Sequence, residues 1–307
     1  MARGSWHFHG VDVRGTCAAD ALWRCWTRIF AGLPAARAVA ITLDGRAGPV
    51  PETALTAEPS VVVGTQHFWR EETTLHMHIP GVAMIGMDLP AATSTFWVAP
   101  AYQTHEPLVE DLLAVALAPH LRRQGRYLLH AFGAAWEGQG VLLVGDSGAG
   151  KTTSGLALLA AGWQLLGNDV VQFDAEGGLH GYPGRVAATL PSLARFAATA
   201  PLHGPLSAGK LRFPAEAVWP GCRRAHAVPA QILFPRIVDQ ARCTLRPLTP
   251  AEALGRLLPH TLDRWDAALL GDHLAAAEVL VRRAPAAELL LGRHMDDLPG
   301  LLRSGSA

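Results

Sequence analysis

Lysine is nearly missing from this chain. Of 307 residues only Lys151 and Lys210 carry that side chain, and arginine supplies the rest of the 26 basic groups. They are matched by 26 acidic residues. A chain with no net charge has neither the positive field of a general nucleic-acid binder nor an acidic tail. Cysteine is scarce as well. Cys17, Cys25, Cys222 and Cys243 form no C-x-x-C pair and no metal-ligand spacing, which excludes a disulfide framework or a zinc site and points to reduced thiols in the cytosol. No apolar run approaches the length of a membrane span, and the opening MARGSWHFHG has no apolar signal core. The expectation is a soluble, cytoplasmic protein that engages neither membrane nor nucleic acid. Repeats and low-complexity segments are also missing.

Half of the residues are apolar and 17% are charged, a balance that folds rather than stays disordered. The length suits one large domain or two modest ones.

With lysine so rare, its position is informative. Lys151 stands in residues 140–173, GVLLVGDSGAGKTTSGLALLAAGWQLLGNDVVQF. The stretch predicts a strand, a glycine-rich loop, a helix over 152–161 ended by Gly162, and further strands. Gly145, Gly150, Lys151 and Thr152 satisfy G-x-x-x-x-G-K-[ST] in the required strand-to-helix setting. A triphosphate needs many donors and a cation at short range. Glycines at 145, 148 and 150 permit positive φ, so successive amides can face one anion, and the helix adds its positive end. The reading makes Gly145, Asp146, Ser147, Gly148, Ala149, Gly150, Lys151, Thr152 and Thr153 the nucleotide-binding loop. Lys151 is to reach the β- and γ-phosphates and Thr152 to take a place on Mg²⁺.

Along the chain, strands are predicted over 6–16, 39–43 (closed by an Asp44-Gly45 turn), 60–63, 74–79, 82–87 and 94–99, with a helix over 18–33. Residues 1–104 therefore read as a small α+β domain. His67, His76 and His78 lie in it, the last two on one strand face, with no third ligand at suitable spacing, so a plain exposed strand face is expected. A helix over 106–123 is expected to seal a face of the second domain's sheet, and a strand over 127–135 carries His130. WEGQG reads as a hairpin. A strand over 163–167 delivers Asn168 and Asp169. Residues 204–212 read as a mobile loop holding Lys210. Strands at 230–238, 243–247 and 288–291, helices over 250–259 and 265–280, and a last helix from Met295 complete a nucleotide-binding domain over 105–303. A disordered tail follows over 304–307.

A P-loop gives nucleotide binding, and its surroundings decide the function. Lysine at only two positions leaves no N-K-x-D, which excludes a GTPase of that type. No LSGGQ-like signature or distant acid supports an ABC-type ATPase. A small-molecule kinase stays open.

Residues 126–173 resemble the catalytic domain of the HPr kinase/phosphorylase family. They share a histidine (His130) fifteen positions before Gly145, the loop GDSGAGKT, a short helix ended by Gly162, and a strand leading to the acid position. In layout the chain is similar to HPr-kinase-related proteins such as lasso-peptide precursor kinases, which share a Y-P-G-x-R-like stretch, here Tyr182, Pro183, Gly184 and Arg185. The resemblance implies an α/β fold: a P-loop kinase domain of the HPr kinase/PEP carboxykinase type with a mixed sheet, behind the small N-terminal domain. It further implies ATP and Mg²⁺ as cofactors and transfer of the γ-phosphoryl group to a serine of a peptide or small protein. The N-terminal domain would position that substrate or mediate assembly, a homo-oligomer included.

The family has two consecutive acids where this chain has Asn168 and Asp169, and a Glu where it has Thr153. By resemblance the first acid is the base and the second the metal contact. Asp169 and Thr152 then hold the metal, Lys151 and Asp169 stay catalytic, and His130 is the substitute base or a charge partner for the phosphate beside the altered Asn168. Arg185 is expected to clamp a phosphate or a substrate carboxylate, with Lys210 a weaker candidate of the same kind. The rival function is a nucleotide-binding regulator in which Asn168 records lost catalysis. The phosphorylase segment is missing, so no reverse reaction is expected.

Overall fold

The computed structural model describes residues 1–8, 10–46, 48–51, 58–197, 206–207, 209–261 and 263–304. Two compact units emerge, Met1–Gly125 with Asp263–Leu270, and Arg126–Leu262 with Gly271–Ala307. Both combine helices with mixed sheets.

The first unit holds β1 (Ala2–Phe8), β2 (Val11–Cys17), α1 (Asp20–Ile29), β3 (Ile41–Arg46), β4 (Val61–Val63), β5 (Gln66–Glu71), β6 (Thr74–Ile79), β7 (Ala83–Asp88), β8 (Thr93–Val98) and α2 (Glu106–Arg122). Its sheet has the order β1-β2-β3-β8-β7-β6-β5-β4. The single strand read over 6–16 is a hairpin, β1 against β2. The Asp44-Gly45 turn signal fails, because β3 runs straight through it. Gly45 is there for close approach: a Cβ would stand 2.5 Å from the Cys17 sulfur. α1 buries Leu22, Cys25, Trp26 and Ile29 on one face, as its spacing predicts.

α2 belongs to this unit, not to the nucleotide-binding domain proposed from position 105. The reason is a buried polar contact, in which the Ser94 hydroxyl donates to the Ala116 carbonyl (2.8 Å) and sits 2.9 Å from His120 Nε2. Burial, aided by the Arg123 charge, pushes His120 down to about 4. The returning segment 263–270 is anchored here too. Arg123 grips both carboxylate oxygens of Asp266 (2.8 and 3.3 Å), Arg122 donates to the Asp263 and Asp266 carbonyls, and Trp265 stacks on Phe68. These contacts take 265–269 out of the helix that periodicity predicts from 265. Among the described residues no trio of His, Cys, Asp or Glu gathers as a metal site, so His67, His76 and His78 remain a strand face. His78 is buried, however, and His76 half-buried, which corrects the expected exposure.

The second unit holds β9 (Arg126–Leu129), β10 (Ala131–Trp136), β11 (Gln139–Val144), α3 (Lys151–Ala160), β12 (Gln164–Gly167), β13 (Val171–Asp174), β14 (Leu179–His180), β15 (Val186–Thr189), α4 (Leu190–Phe196), β16 (Leu206–Ser207), β17 (Lys210–Phe213), β18 (His226–Ile237), β19 (Thr244–Leu248), α5 (Pro250–Leu257), α6 (Leu270–Arg283, all but its first residue), β20 (Ala286–Leu291) and α7 (Leu298–Ser304). The main sheet runs β12-β10-β11-β18-β14-β13-β9, with β20 beside β18 and β19 beside β20. β15, β17 and β16 form a small second sheet. β11 pairs parallel with β18, and β18 with β20, so their C-terminal ends share one edge.

Alternation along β11 separates two cores, as strand geometry requires. Val141 and Leu143 join Leu156, Leu158 and Leu159 of α3, Leu193 of α4 and Leu298 and Leu302 of α7. Leu142 and Val144 join Ala253 and Leu257 of α5 and Ala276, Ala277 and Leu280 of α6. The central strand is therefore buried on both faces.

Three expectations need correction here. Residues 127–135 are not one strand but β9 and β10, parted at His130. Lys210 stands in β17 rather than in a loop, and residues 204, 205 and 208 of the stretch 204–212 lie outside the described residues. The tail expected from 304 also lies outside them, apart from Ser304, which ends α7. WEGQG is a hairpin as read, with Glu137 and Gly138 at positive φ between β10 and β11.

α3 is seated by a glycine. A Cβ on Gly155 would lie 2.3 to 2.4 Å from three atoms of the Phe132 ring on β10. Gly155→Val is expected to destabilise the protein by about 1–3 kcal/mol through overpacking, measured by urea unfolding. A variant of wild-type stability would show that α3 is free to move off β10.

Candidate phosphate-binding cleft

β11 ends at Val144 and the loop begins at the sheet edge. Gly145, Gly148 and Gly150 have φ of 155°, 88° and 102°, a path that other residues adopt only with strain. At Gly150 the constraint is double, because a Cβ would also lie 2.5 Å from Leu291 Cδ1 at the end of β20. Gly150 is the N-cap of α3, so the amides that open the helix are free of helical partners. Lys151 folds back over the loop. Its Nζ donates to the carbonyls of Gly145 (2.5 Å) and Asp146 (3.2 Å). Burial lowers its pKa, while the carboxylates of Asp169 and Asp146 hold it up.

A cleft of about 240 Å³ opens over this loop. It is lined by Asp146, Ser147, Gly148, Gly150, Lys151, Thr152 and Thr153, together with His130, Asp169, Thr189, Ser192, Lys210 and Ile237. Glycine amides, a cation and hydroxyls at one helix start suit a polyphosphate. Thr152 and Asp169 offer oxygen ligands of the kind Mg²⁺ prefers.

His130 reaches the cleft because the chain changes partners there. β9 pairs with β13, β10 with β11 and β12, and the residue between them points outward, exposed. Its backbone amide donates to the His260 carbonyl (2.8 Å), and the two imidazoles lie 6.3 Å apart. Crowding in the cleft, then the Lys151 charge, hold His130 below the usual histidine value, against an opposing pull from Asp169. A histidine shifted this way is neutral at pH 7 and can accept a proton.

Asn168 and Asp169 follow β12 in the turn to β13. Asp169 lines the cleft. Asn168 is buried behind it and donates from Nδ2 to Asp169 Oδ2 (2.8 Å), while its Oδ1 has no hydrogen-bond partner among the described residues. The carboxylate thus fixes which way the amide faces. Asn168 orients Asp169 and does not itself face the cleft.

Arg185 is not among the lining residues. Its guanidinium donates to the Arg212 carbonyl (3.1 Å), and Lys210 on the same small sheet supplies the second cation instead. The sequence reading missed Thr189 and Ser192. Their hydroxyls continue a chain from Thr153 Oγ1 to Ser192 Oγ (2.9 Å) to Thr189 Oγ1 (3.0 Å). Thr189 caps α4; the T-L-P-S pattern is a helix-start signal that was available. Gly145 and Ala149 turn to the far side of the loop, toward a second cavity.

No protein-family model matches the sequence, and neither does any curated protein. Among solved structures the chain is similar to the Hpr(Ser) kinase/phosphatase from Coxiella burnetii, at 14% identity and a TM-score of 0.33, over 58% of this chain and 88% of that one. The likeness is distant and carries no argument about activity.

The electrostatics of the cleft are testable by NMR. His130 is expected to titrate below the ordinary histidine value near 6.5. Lys151→Met removes a neighbouring positive charge and is expected to raise it; an unmoved His130 would show that the two groups do not sense one another.

Proposed function

We propose that this chain is an ATP- and Mg²⁺-dependent kinase that transfers the γ-phosphoryl group to a hydroxyl, a serine of a peptide or small protein. One observation carries the reading: a glycine-cradled lysine, a carboxylate and a histidine line the same cleft. Phosphoryl transfer depends mostly on positioning and on charge stabilisation, and these residues supply both.

In this reading the loop amides, Lys151 and Lys210 bind the phosphates, with Thr152 and Asp169 as the residues that would hold Mg²⁺. Bound Mg²⁺ supplies neutralisation of charge on the phosphate oxygens. The acceptor oxygen forms a bond to the γ-phosphorus as the bond from that phosphorus to the β,γ-bridging oxygen breaks, and ADP leaves. A ring nitrogen of His130 takes the hydroxyl proton. Asn168 has no proton-accepting carboxylate, and its work is to orient Asp169. An acid at 168 would put two carboxylates in contact and raise the pKa of one of them.

Transfer of labelled phosphate from ATP to serine peptides, and to the small proteins encoded beside the gene, tests the reading. Lys151→Ala is expected to abolish it. His130→Gln is expected to lower the rate by about 10²- to 10⁴-fold, the usual worth of a general base. Asn168→Asp is expected to leave the rate within about ten-fold of wild type for the same reason. The wild-type rate should fall as pH drops through the depressed His130 pKa, staying high below the pH at which an ordinary histidine protonates. Nucleotide binding with no transfer to any acceptor would make the chain a regulator instead.

A further inference from the structure

The nucleotide loop is a ridge between two cavities. Behind the cleft, on the side to which Gly145 and Ala149 turn, lies an open cavity of about 410 Å³, within the range of about 300–1,000 Å³ found for ligand sites. It is bounded by Phe234, Pro235 and Arg236 at the end of β18, by Arg256 and His260, and by Glu288. Asp146 belongs to both cavities.

At one end of this cavity guanidiniums outnumber the carboxylate they share, with Arg236 and Arg256 in its lining and Arg246 just outside it. Glu288 is buried and receives three guanidiniums, Arg246 at 2.8 Å, Arg256 at 3.1 Å and Arg236 at 3.4 Å. One carboxylate cannot neutralise three cations. A guanidinium carries five donors in a fixed fork, so most of those N–H groups remain for another acceptor. Arg256 is preset, with its Cζ 5.8 Å from the Phe234 ring centroid. Asp146, the other acid on the rim, acts on Lys151 on one side and on His260 on the other, opposing the lowering of both.

We infer that this cavity is the acceptor's docking site, and that it selects a peptide segment bearing carboxylates beside the hydroxyl to be phosphorylated. The inference rests on the kinase reading for what happens to that hydroxyl. The cavity has far more room than a single phosphate ion needs, and it pairs guanidinium donors with apolar walls at Phe234, Pro235 and Pro259. That combination suits the aliphatic stems and charged ends of Glu and Asp side chains. An acidic segment held there lies beside Asp146 and His260, next to the cleft that His130 lines. Arg236 and Arg256 act by holding the acceptor and take no part in the transfer.

The test uses the full chain and does not depend on turnover. A fluorescein-labelled serine peptide with flanking glutamates is compared with its glutamine counterpart by anisotropy, without nucleotide. The acidic peptide is expected to bind about ten-fold or more tighter, a preference charge-assisted hydrogen bonds can supply, and to weaken with salt. Arg236→Gln with Arg256→Gln is expected to erase the preference. Arg246 stays in that double variant as the nearest partner of Glu288, and unchanged thermal unfolding and ATP-analogue binding verify its fold. Equal binding of the two peptides, or a preference untouched in the double variant, would overturn the inference and leave the kinase reading standing. Displacement of the acidic peptide by inorganic phosphate, at an ionic strength where chloride has no effect, would reassign the cavity to a free anion and overturn it as well. Failure of Lys151→Ala to affect transfer would count against the kinase reading alone.

Discussion

The site depends on one interaction, the grip of Lys151 on its own loop. A buried lysine ammonium needs oxygen partners, and the carbonyls of Gly145 and Asp146 provide them. For those carbonyls to turn back toward α3, the chain must pass through left-handed conformations at Gly148 and Gly150. The seat of Gly150 against Leu291 then ties the loop to the end of β20. Core packing on both faces of β11 keeps that end in place. Loop, helix start and sheet edge are thus set by a single chain of contacts, which is the preorganisation that phosphate binding and charge stabilisation demand.

Around that grip the charges differ by position rather than by number. Lys151 and the crowded cleft keep His130 neutral, and Asn168 spends its amide on Asp169 instead of adding a second negative charge. On the far side of the loop, three guanidiniums gather on the one carboxylate of Glu288. The same ridge therefore faces two electrostatic environments.

Much of the fold was legible because it is written in local periodicity. The glycine loop before α3, the Gly162 stop after it, strands β4, β6, β7 and β8 of the first unit and the hairpin at Glu137-Gly138 all follow from spacing and from glycine. The errors arose where tertiary contacts override local signals. Asp44-Gly45 reads as a turn, but Gly45 sits inside β3 because Cys17 allows no Cβ there. Residues 265–269 have helical spacing, but Arg122, Arg123 and Phe68 hold them to the first unit. α2 looks like part of the nucleotide domain until Ser94 is seen to bind it to the other sheet. In the site, Arg185 had the right chemistry and spends it on the Arg212 carbonyl, while Lys210, Thr189 and Ser192 reach the cleft from elements whose placement no motif records.

By itself the sequence determined the glycine loop between β11 and α3 that carries Lys151, because three glycines, a rare lysine and a threonine at fixed spacing act locally in the chain. It also determined the Asn168-Asp169 pair as a departure worth explaining. Only the tertiary structure decided that His130, fifteen residues upstream, leaves its sheet at a change of strand partners and faces the same cleft. Only the structure brought Arg236, Arg246 and Arg256 onto one buried carboxylate, since those residues come from strands and a helix whose pairing is non-local. Local spacing fixes what a loop can bind, while long-range strand pairing fixes which distant side chains stand beside it.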